Sequence, residues 1–273
     1  MSEASARASL LPSVLKRDRA IVIAALAAVS IFGWIYTLAG VGMSMNAFEM
    51  TAMGKASTAL ATPMPWSASY ALFVFLMWLL MMVAMMLPSA SPMVLLVDAM
   101  ARKYNPRSAF QAGTAAFVAG YLAVWAGFSA CAALVHWALE MNGLLTPMMT
   151  PTSALLGGIL LVAAGLYQIT PLKQTCLRSC RHPIGFLARH WRAGTDGAFH
   201  MGIVHGTFCL GCCWILMALL FFGGVMNLYW IAGIATYVLA EKLVPHGRWL
   251  SYAAGALLLT WGVSILVEAM QHT

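Results

Sequence analysis

Apolar runs of the length that a helix needs to cross a bilayer recur along this chain, and they constrain its fold more than any other feature. Hydrophobic residues make up 62% of the sequence and charged residues only 8%, whereas about a quarter of the residues in a soluble domain are charged. Backbone groups in lipid must be satisfied within the protein, and runs of this length do so as helices. The sequence therefore predicts an all-α, polytopic membrane helical bundle.

Seven membrane-spanning helices are predicted from these runs. They cover residues 20–41, 69–88, 109–136, 153–171, 200–222, 226–243 and 249–268. Residues 1–19 are polar and basic and lack a suitable signal-peptide cleavage site, so we interpret them as a cytoplasmic tail. Residues 20–273 are then a single transmembrane helical domain, because no other stretch is long enough for a soluble one.

Basic residues are distributed unevenly over the predicted loops. With the N-terminus inside, every lysine and arginine except Lys55 falls on the inner side, as the positive-inside rule requires. The C-terminus is then expected outside. This topology explains the net charge of +7, which therefore does not indicate nucleic-acid binding, and the expected partner of the basic segments is membrane lipid.

The fifth predicted span combines an imidazole with three thiols. His205, Cys209 and Cys213 follow one another at intervals of four residues and Cys212 lies beside them, so one helix face presents all four groups. Free cysteine also behaves as a small buried hydrophobe. The joint pattern favours metal binding or thiol chemistry about as strongly as it favours packing.

The second predicted span is rich in methionine at helical spacing. Its candidate metal ligands are Met81, Met82, Met85 and Met86. Thioether sulfur suits Cu(I), although a methionine stripe is more often part of a helical core. The second and fifth spans run in opposite directions, which places the methionines and the thiols at a similar depth. They are expected to meet there if the two helices are neighbours.

Segments outside these two spans add further candidates. Cys176 and Cys180 lie in a basic inner segment that fits either sulfur chemistry, because nearby arginines favour thiolate, or an anion- or lipid-facing loop. Pro88 and Pro92 are expected to end the second helix. The first outer loop, 42–65, contains Met43, Met45, Met50, Met53 and Met64. Such methionines more often pack at irregular helix ends, whereas under a copper hypothesis their thioethers would capture the ion.

Two charged residues stand near the inner end of the sixth predicted span. Lys242 is expected to extend its ammonium toward the headgroups. Glu241 is expected either to neutralise an entering cation or to pair with an arginine of a neighbouring loop. Nucleotide-binding and hydrolase motifs are absent from the sequence. We therefore favour a binding or transport role over enzyme activity.

Four segments resemble a known family of bacterial proteins. They are MWLLMMVAMMLPSASP, GLYQITPLKQTCLRSCRHP, HGTFCLGCCWILM and GGVMNLYWIAGIATYVLAEKLVP. They are similar to the segments typical of a family labelled "predicted metal-binding integral membrane protein". The resemblance covers residues 78–245, and it implies a multi-pass protein of the bacterial inner membrane that binds metal. It implies neither a substrate nor a role for the loop at 42–65.

Our leading hypothesis is a membrane protein that binds a soft metal, with Cu(I) as the first candidate, and acts in the transport or delivery of that metal. Zinc is the second candidate, because histidine and thiolate also suit it. A metal chaperone or another subunit of a membrane complex is the expected partner. Two alternatives stay open, a membrane enzyme with thiol or metal redox chemistry and an accessory subunit whose sulfur atoms only pack.

Overall fold

The regular structure of this chain is helical throughout the part that the computed structural model describes, which is residues 2–40, 49, 51, 66–104, 109–145, 153–245 and 247–271. This confirms the all-α class. The methionines of the predicted loop at 42–65 lie outside these ranges. The helices, in chain order, are α1 Ser2–Leu38, α2 Ala68–Tyr104, α3 Ala109–Met141, α4 Ala154–Ile169, α5 Pro171–Arg181, α6 Pro183–His190, α7 Gly194–Ala218, α8 Leu220–Gly223, α9 Leu228–Leu243 and α10 Gly247–Gln271.

Several of these helices have the length and composition of membrane spans. Within the described ranges, five qualify: Ala20–Leu38, Ala68–Arg102, Ala112–Met141, Gly194–Gly223 and Gly247–Gln271. A sixth is added if α4 and α5, which meet at a bend of 63°, form one broken span. Helix α9 has 16 residues, which is shorter than a typical crossing. The count of seven spans and their orientation therefore stay predictions.

The bend between α4 and α5 has a local cause. Thr170 ends α4 in an extended conformation, and its hydroxyl then accepts a hydrogen bond from the backbone N–H of Lys173 at the start of α5. Pro171 follows as the first residue of α5, a position where its missing N–H costs nothing. This arrangement turns α5 away from the axis of α4 and directs it across α7.

The prediction that Pro88 and Pro92 end the second helix is wrong, because α2 continues through both to Tyr104. Proline is tolerated in a membrane helix when other groups satisfy the carbonyls that it leaves free. Here the hydroxyl of Ser91 donates to the Pro88 carbonyl at 2.8 Å, and that of Ser89 donates to the Met86 carbonyl at 2.8 Å. Ser91 thus replaces the hydrogen bond that Pro92 removes from the Pro88 carbonyl, whereas Ser89 donates to a carbonyl that neither proline frees.

Helices α3 and α7 pack closely through glycine. A Cβ atom added at Gly120 would collide with the backbone of Phe199, and one added at Gly202 would collide with the backbone of Phe117. Small residues allow such close approach of membrane helices. This contact places the thiol-bearing face of α7 next to α3 and fixes its depth in the bundle.

Replacing Gly120 with alanine is expected to destabilise the protein by about 1–3 kcal/mol, because the added methyl group overpacks the contact with α7. Gly127→Ala in the same helix is the matched control, since an added Cβ meets nothing within 4 Å there. Alanine is the better helix former, so the control is expected to be neutral or slightly stabilising. Thermal unfolding of both variants in mild detergent measures the difference, and equal stability would contradict the packing account.

Candidate metal centre

Helix α5 lies against α7 and directs two cysteines toward it. Cys176 faces Gly211, where any side chain larger than hydrogen would press on its sulfur. The Tyr167 hydroxyl donates to the Gly211 carbonyl at 2.5 Å and ties α4 to the same point. Cys176 and Cys180 are one turn apart and both partly buried. The interpretation of this segment as an exposed basic loop is therefore wrong for the two thiols, although it holds for the exposed Arg178 on the other face.

The three cysteines of α7 are fully buried. The thiols of Cys212 and Cys213 each donate to the carbonyl of Cys209, at 3.0 Å in both cases. Cys180 is partly buried and packs against the same core as Cys209 and Cys212. Sulfur atoms from α5 and α7 therefore share one buried volume.

Helix α2 contributes a thioether to the same volume. The Cys213 thiol contacts the sulfur of Met86 at 3.9 Å. The Tyr121 hydroxyl, from α3, lies 3.2 Å from the Cys209 sulfur and 3.2 Å from the Met86 carbonyl oxygen. We call the sulfur atoms that meet here the sulfur cluster, which consists of Met86, Cys180, Cys209, Cys212 and Cys213.

The other methionines predicted from the sequence belong to the same core but not to the cluster. Met81, Met82 and Met85 are buried. Among the described residues, Met86 is the only methionine of α2 whose sulfur forms a hydrogen bond with a thiol. Of the methionine stripe predicted from the sequence, Met86, its last residue, contacts a thiol, and the role of the stripe in metal binding stays a prediction.

Lys242 reaches into the cluster, which the sequence analysis did not expect. Its ammonium donates to the Cys209 sulfur at 3.0 Å and to the Ser89 hydroxyl at 2.8 Å, and the side chain is buried. The expected extension toward headgroups is therefore wrong. A buried ammonium needs a compensating partner. A thiolate at Cys209 would neutralise the charge of the Lys242 ammonium. The available sequence indication was a charged residue at the end of an apolar span.

Glu241, the neighbour of Lys242, points elsewhere. Its carboxylate pairs with the ammonium of Lys173 at 2.8 Å and accepts hydrogen bonds from Tyr237 at 2.7 Å and Ser251 at 2.6 Å. The predicted arginine partner is therefore replaced by a lysine on α5. This buried network joins α5, α9 and α10, and it holds α5 beside α7 and α9 beside the cluster.

His205 lies one turn before Cys209 on α7 but in different surroundings. Its ring packs among Phe117, Tyr121 and Phe186, with centroid distances of 5.9, 5.9 and 5.3 Å. Its Nδ1 atom is buried and has no hydrogen-bond partner among the described residues. The imidazole therefore borders the cluster with a free ring nitrogen, and no hydrogen bond joins it to a described thiol.

The donor atoms are close but not arranged as a preformed chelate. In the part of the chain that the structure describes, no group of three or more His, Cys, Asp and Glu side chains is arranged to hold a metal ion. The thiols of Cys212 and Cys213 are turned to the Cys209 carbonyl instead. Metal binding would require these thiols to rotate toward a common point, and the flexible side chain of Met86 lies next to Cys213.

The structure combines helices that are long and apolar enough to cross a membrane with a buried group of sulfur atoms, the ligand type that soft metals prefer. Residues 75–265, most of the chain, match the model of the PpoB2 family, which is described as a copper chaperone family. The chain therefore belongs to this family. No curated protein and no solved structure matches it. The family model confirms the metal-related character implied by the resemblance and indicates copper rather than zinc.

Proposed function

We propose that the protein binds Cu(I) at the sulfur cluster and acts in the delivery or transport of copper at a membrane. The observation that supports this most directly is the meeting of sulfur atoms from α2, α5 and α7 in one buried volume. Thiolate and thioether ligands select Cu(I) over harder ions. Membership of a copper chaperone family supports the same metal.

The charge of the site also suits a monovalent ion. A Cu(I) ion held by a pair of thiolates leaves one negative charge, and a buried charge is costly unless it is compensated. The ammonium of Lys242 already contacts the Cys209 sulfur and would offset this charge without becoming a ligand. We therefore assign Lys242 a charge-balancing role and Cys209 and Cys212 the role of principal ligands.

Zinc fits the cluster less well. A structural zinc site uses about four nitrogen or thiolate ligands in a tetrahedron, and the described residues provide no preformed set of this kind. Thioether sulfur, which Met86 contributes, is typical of copper sites instead. Cu(I) accepts low coordination numbers, so a few of the cluster sulfurs suffice.

The remaining candidate ligands extend the site in two directions. Met81, Met82 and Met85 continue the buried sulfur stripe of α2 beyond Met86, and Cys176 continues the stripe of α5 beyond Cys180. We assign these residues to the entry and exit of the ion, with His205 as an auxiliary donor beside Cys209. The methionine-rich segment 42–65 would capture the ion first, and a soluble metal chaperone or a membrane partner would exchange it with the cluster.

The wild-type protein, purified anaerobically in mild detergent, is expected to retain about one or more copper ions per chain, because sulfur ligands bind Cu(I) tightly. Elemental analysis measures the ratio, and X-ray absorption at the copper edge should show sulfur neighbours. Protein that contains no copper after loading with Cu(I) would contradict the proposal. It would favour the accessory-subunit or thiol-redox hypothesis, which thiol labelling under oxidising and reducing conditions then separates.

A further inference from the structure

A cavity lies away from the sulfur cluster, between α5 and the start of α10. Its volume is about 300 Å³ and its wall includes three arginines. The residues that line it are Ile169, Pro171, Gln174, Thr175, Leu177, Arg178, Arg181, Arg248 and Tyr252. This lining contains no acidic residue, so the cavity concentrates positive charge.

The three arginines differ in how they are engaged. Arg181 donates to the carbonyls of Val244 and Pro245, the former at 2.6 Å, and so fixes α5 to the connection after α9. Arg248 stacks over the Tyr252 ring at 5.6 Å and donates to the Tyr252 hydroxyl at 3.0 Å. The guanidinium of Arg178 makes no hydrogen bond or ion pair with another described residue. Two guanidinium groups therefore retain most of their donors, and a third is held rigidly beside them.

This arrangement matches the chemistry of a phosphate group. Guanidinium groups bind phosphate through paired hydrogen bonds, and three of them on one wall repel one another until an anion enters. Thr175 and Gln174 add neutral polar side chains to the lining. A carboxylate on the wall would weaken such a site, and none is present among the lining residues.

The apolar neighbours of the cavity indicate that the phosphate belongs to a lipid. Ile169 lines it and is 46% exposed, the adjacent Leu172 is 61% exposed, and Trp249 next to Arg248 is 72% exposed. Exposed tryptophan is typical of the membrane interface, and the predicted topology places this end of the bundle at the inner leaflet, where anionic lipids attract arginine. A headgroup in the cavity would leave its acyl chains against Ile169 and Leu172.

We propose that this cavity binds the headgroup of an anionic phospholipid, with Arg178 and Arg248 as the phosphate ligands and Arg181 as the positioning residue. The site is separate from the sulfur cluster, since Arg178 lies on the face of α5 opposite Cys176 and Cys180. A bound lipid would fasten α5 to the membrane surface while its other face lies on α7. The proposal does not depend on copper binding.

Native mass spectrometry of the full-length protein with phosphatidylglycerol or phosphatidylcholine tests this proposal. Wild type is expected to prefer phosphatidylglycerol, and Arg178→Gln/Arg248→Gln is expected to bind it about tenfold more weakly, because each arginine near an anionic headgroup strengthens binding. Arg189→Gln/Arg192→Gln is the matched control, since it removes the same charge from exposed positions outside the cavity and should keep the preference.

Three outcomes would overturn the proposal. They are equal affinity of wild type for the two lipids, an equal loss in the control variant, and displacement of phosphatidylglycerol by inorganic phosphate at the same concentration, which would indicate a site for free phosphate. Copper content is measured on the same samples. It is expected to stay at the wild-type level in both variants, so failure of the lipid site is distinguishable from failure of the proposed function.

Discussion

Replacing Cys209 and Cys212 together with serine is expected to reduce the copper retained by the purified protein from about one ion per chain to background, because soft thiolate ligands are what select Cu(I). Both side chains are buried at the centre of the sulfur cluster, and Cys209 is the residue that both Lys242 and Tyr121 contact. Serine keeps a small polar group in each position but offers a hard oxygen. Elemental analysis after loading with Cu(I) measures the loss.

Cys131→Ser is the matched control for this variant. Cys131 is an exposed cysteine on α3, outside the sulfur cluster, so its replacement should leave copper content unchanged. A monodisperse elution profile and unchanged helical content show that the double variant is folded. Undiminished copper in folded Cys209→Ser/Cys212→Ser protein would contradict the assignment of these thiols and would direct attention to the methionines and to the segment 42–65.

Helical periodicity was sufficient to find the stripe on α7 and the stripe on α2. Thiols at intervals of four residues must share a face, and the opposite directions of the two helices predicted overlapping depths for the methionines and the thiols. They did not predict the particular pair Met86 and Cys213, whose sulfurs are 3.9 Å apart in the structure. The contact itself was not predictable, because the periodicity within a helix contains no information on which helix is its neighbour.

The features that the sequence analysis missed depend on contacts between distant segments. Lys242 was expected at the headgroups because it ends an apolar run, yet Ser89 and Cys209 hold its ammonium in the interior. The SASP segment suggested a helix end, yet α2 continues through it, and the Ser91 hydroxyl satisfies the carbonyl that Pro92 frees. For the segment of α5 the sequence analysis left sulfur chemistry and an anion- or lipid-facing loop both open, because its basic residues are evident in the sequence, whereas its packing on Gly211 is not.

Glu241→Gln is expected to destabilise the protein by about 3–5 kcal/mol, because it leaves the Lys173 ammonium buried without a carboxylate. Both side chains are almost completely buried, so water does not compensate for the loss. The glutamine oxygen still accepts the hydrogen bonds of Tyr237 and Ser251, and the effect is therefore attributable to charge. The midpoint of unfolding by SDS, added to the protein in mild detergent, measures it.

The double variant Lys173→Met/Glu241→Gln tests the cause. Removing the ammonium as well leaves no unpaired charge in the interior, so the double variant is expected to be more stable than Glu241→Gln alone. If it is instead less stable, the pair contributes mainly by joining α5 to α9 rather than by mutual neutralisation. Either result bears on copper, because this pair fixes both the helix that presents Cys180 and the helix that presents Lys242. Loss of the pair in Glu241→Gln is thus expected to lower copper retention in proportion to the unfolded fraction.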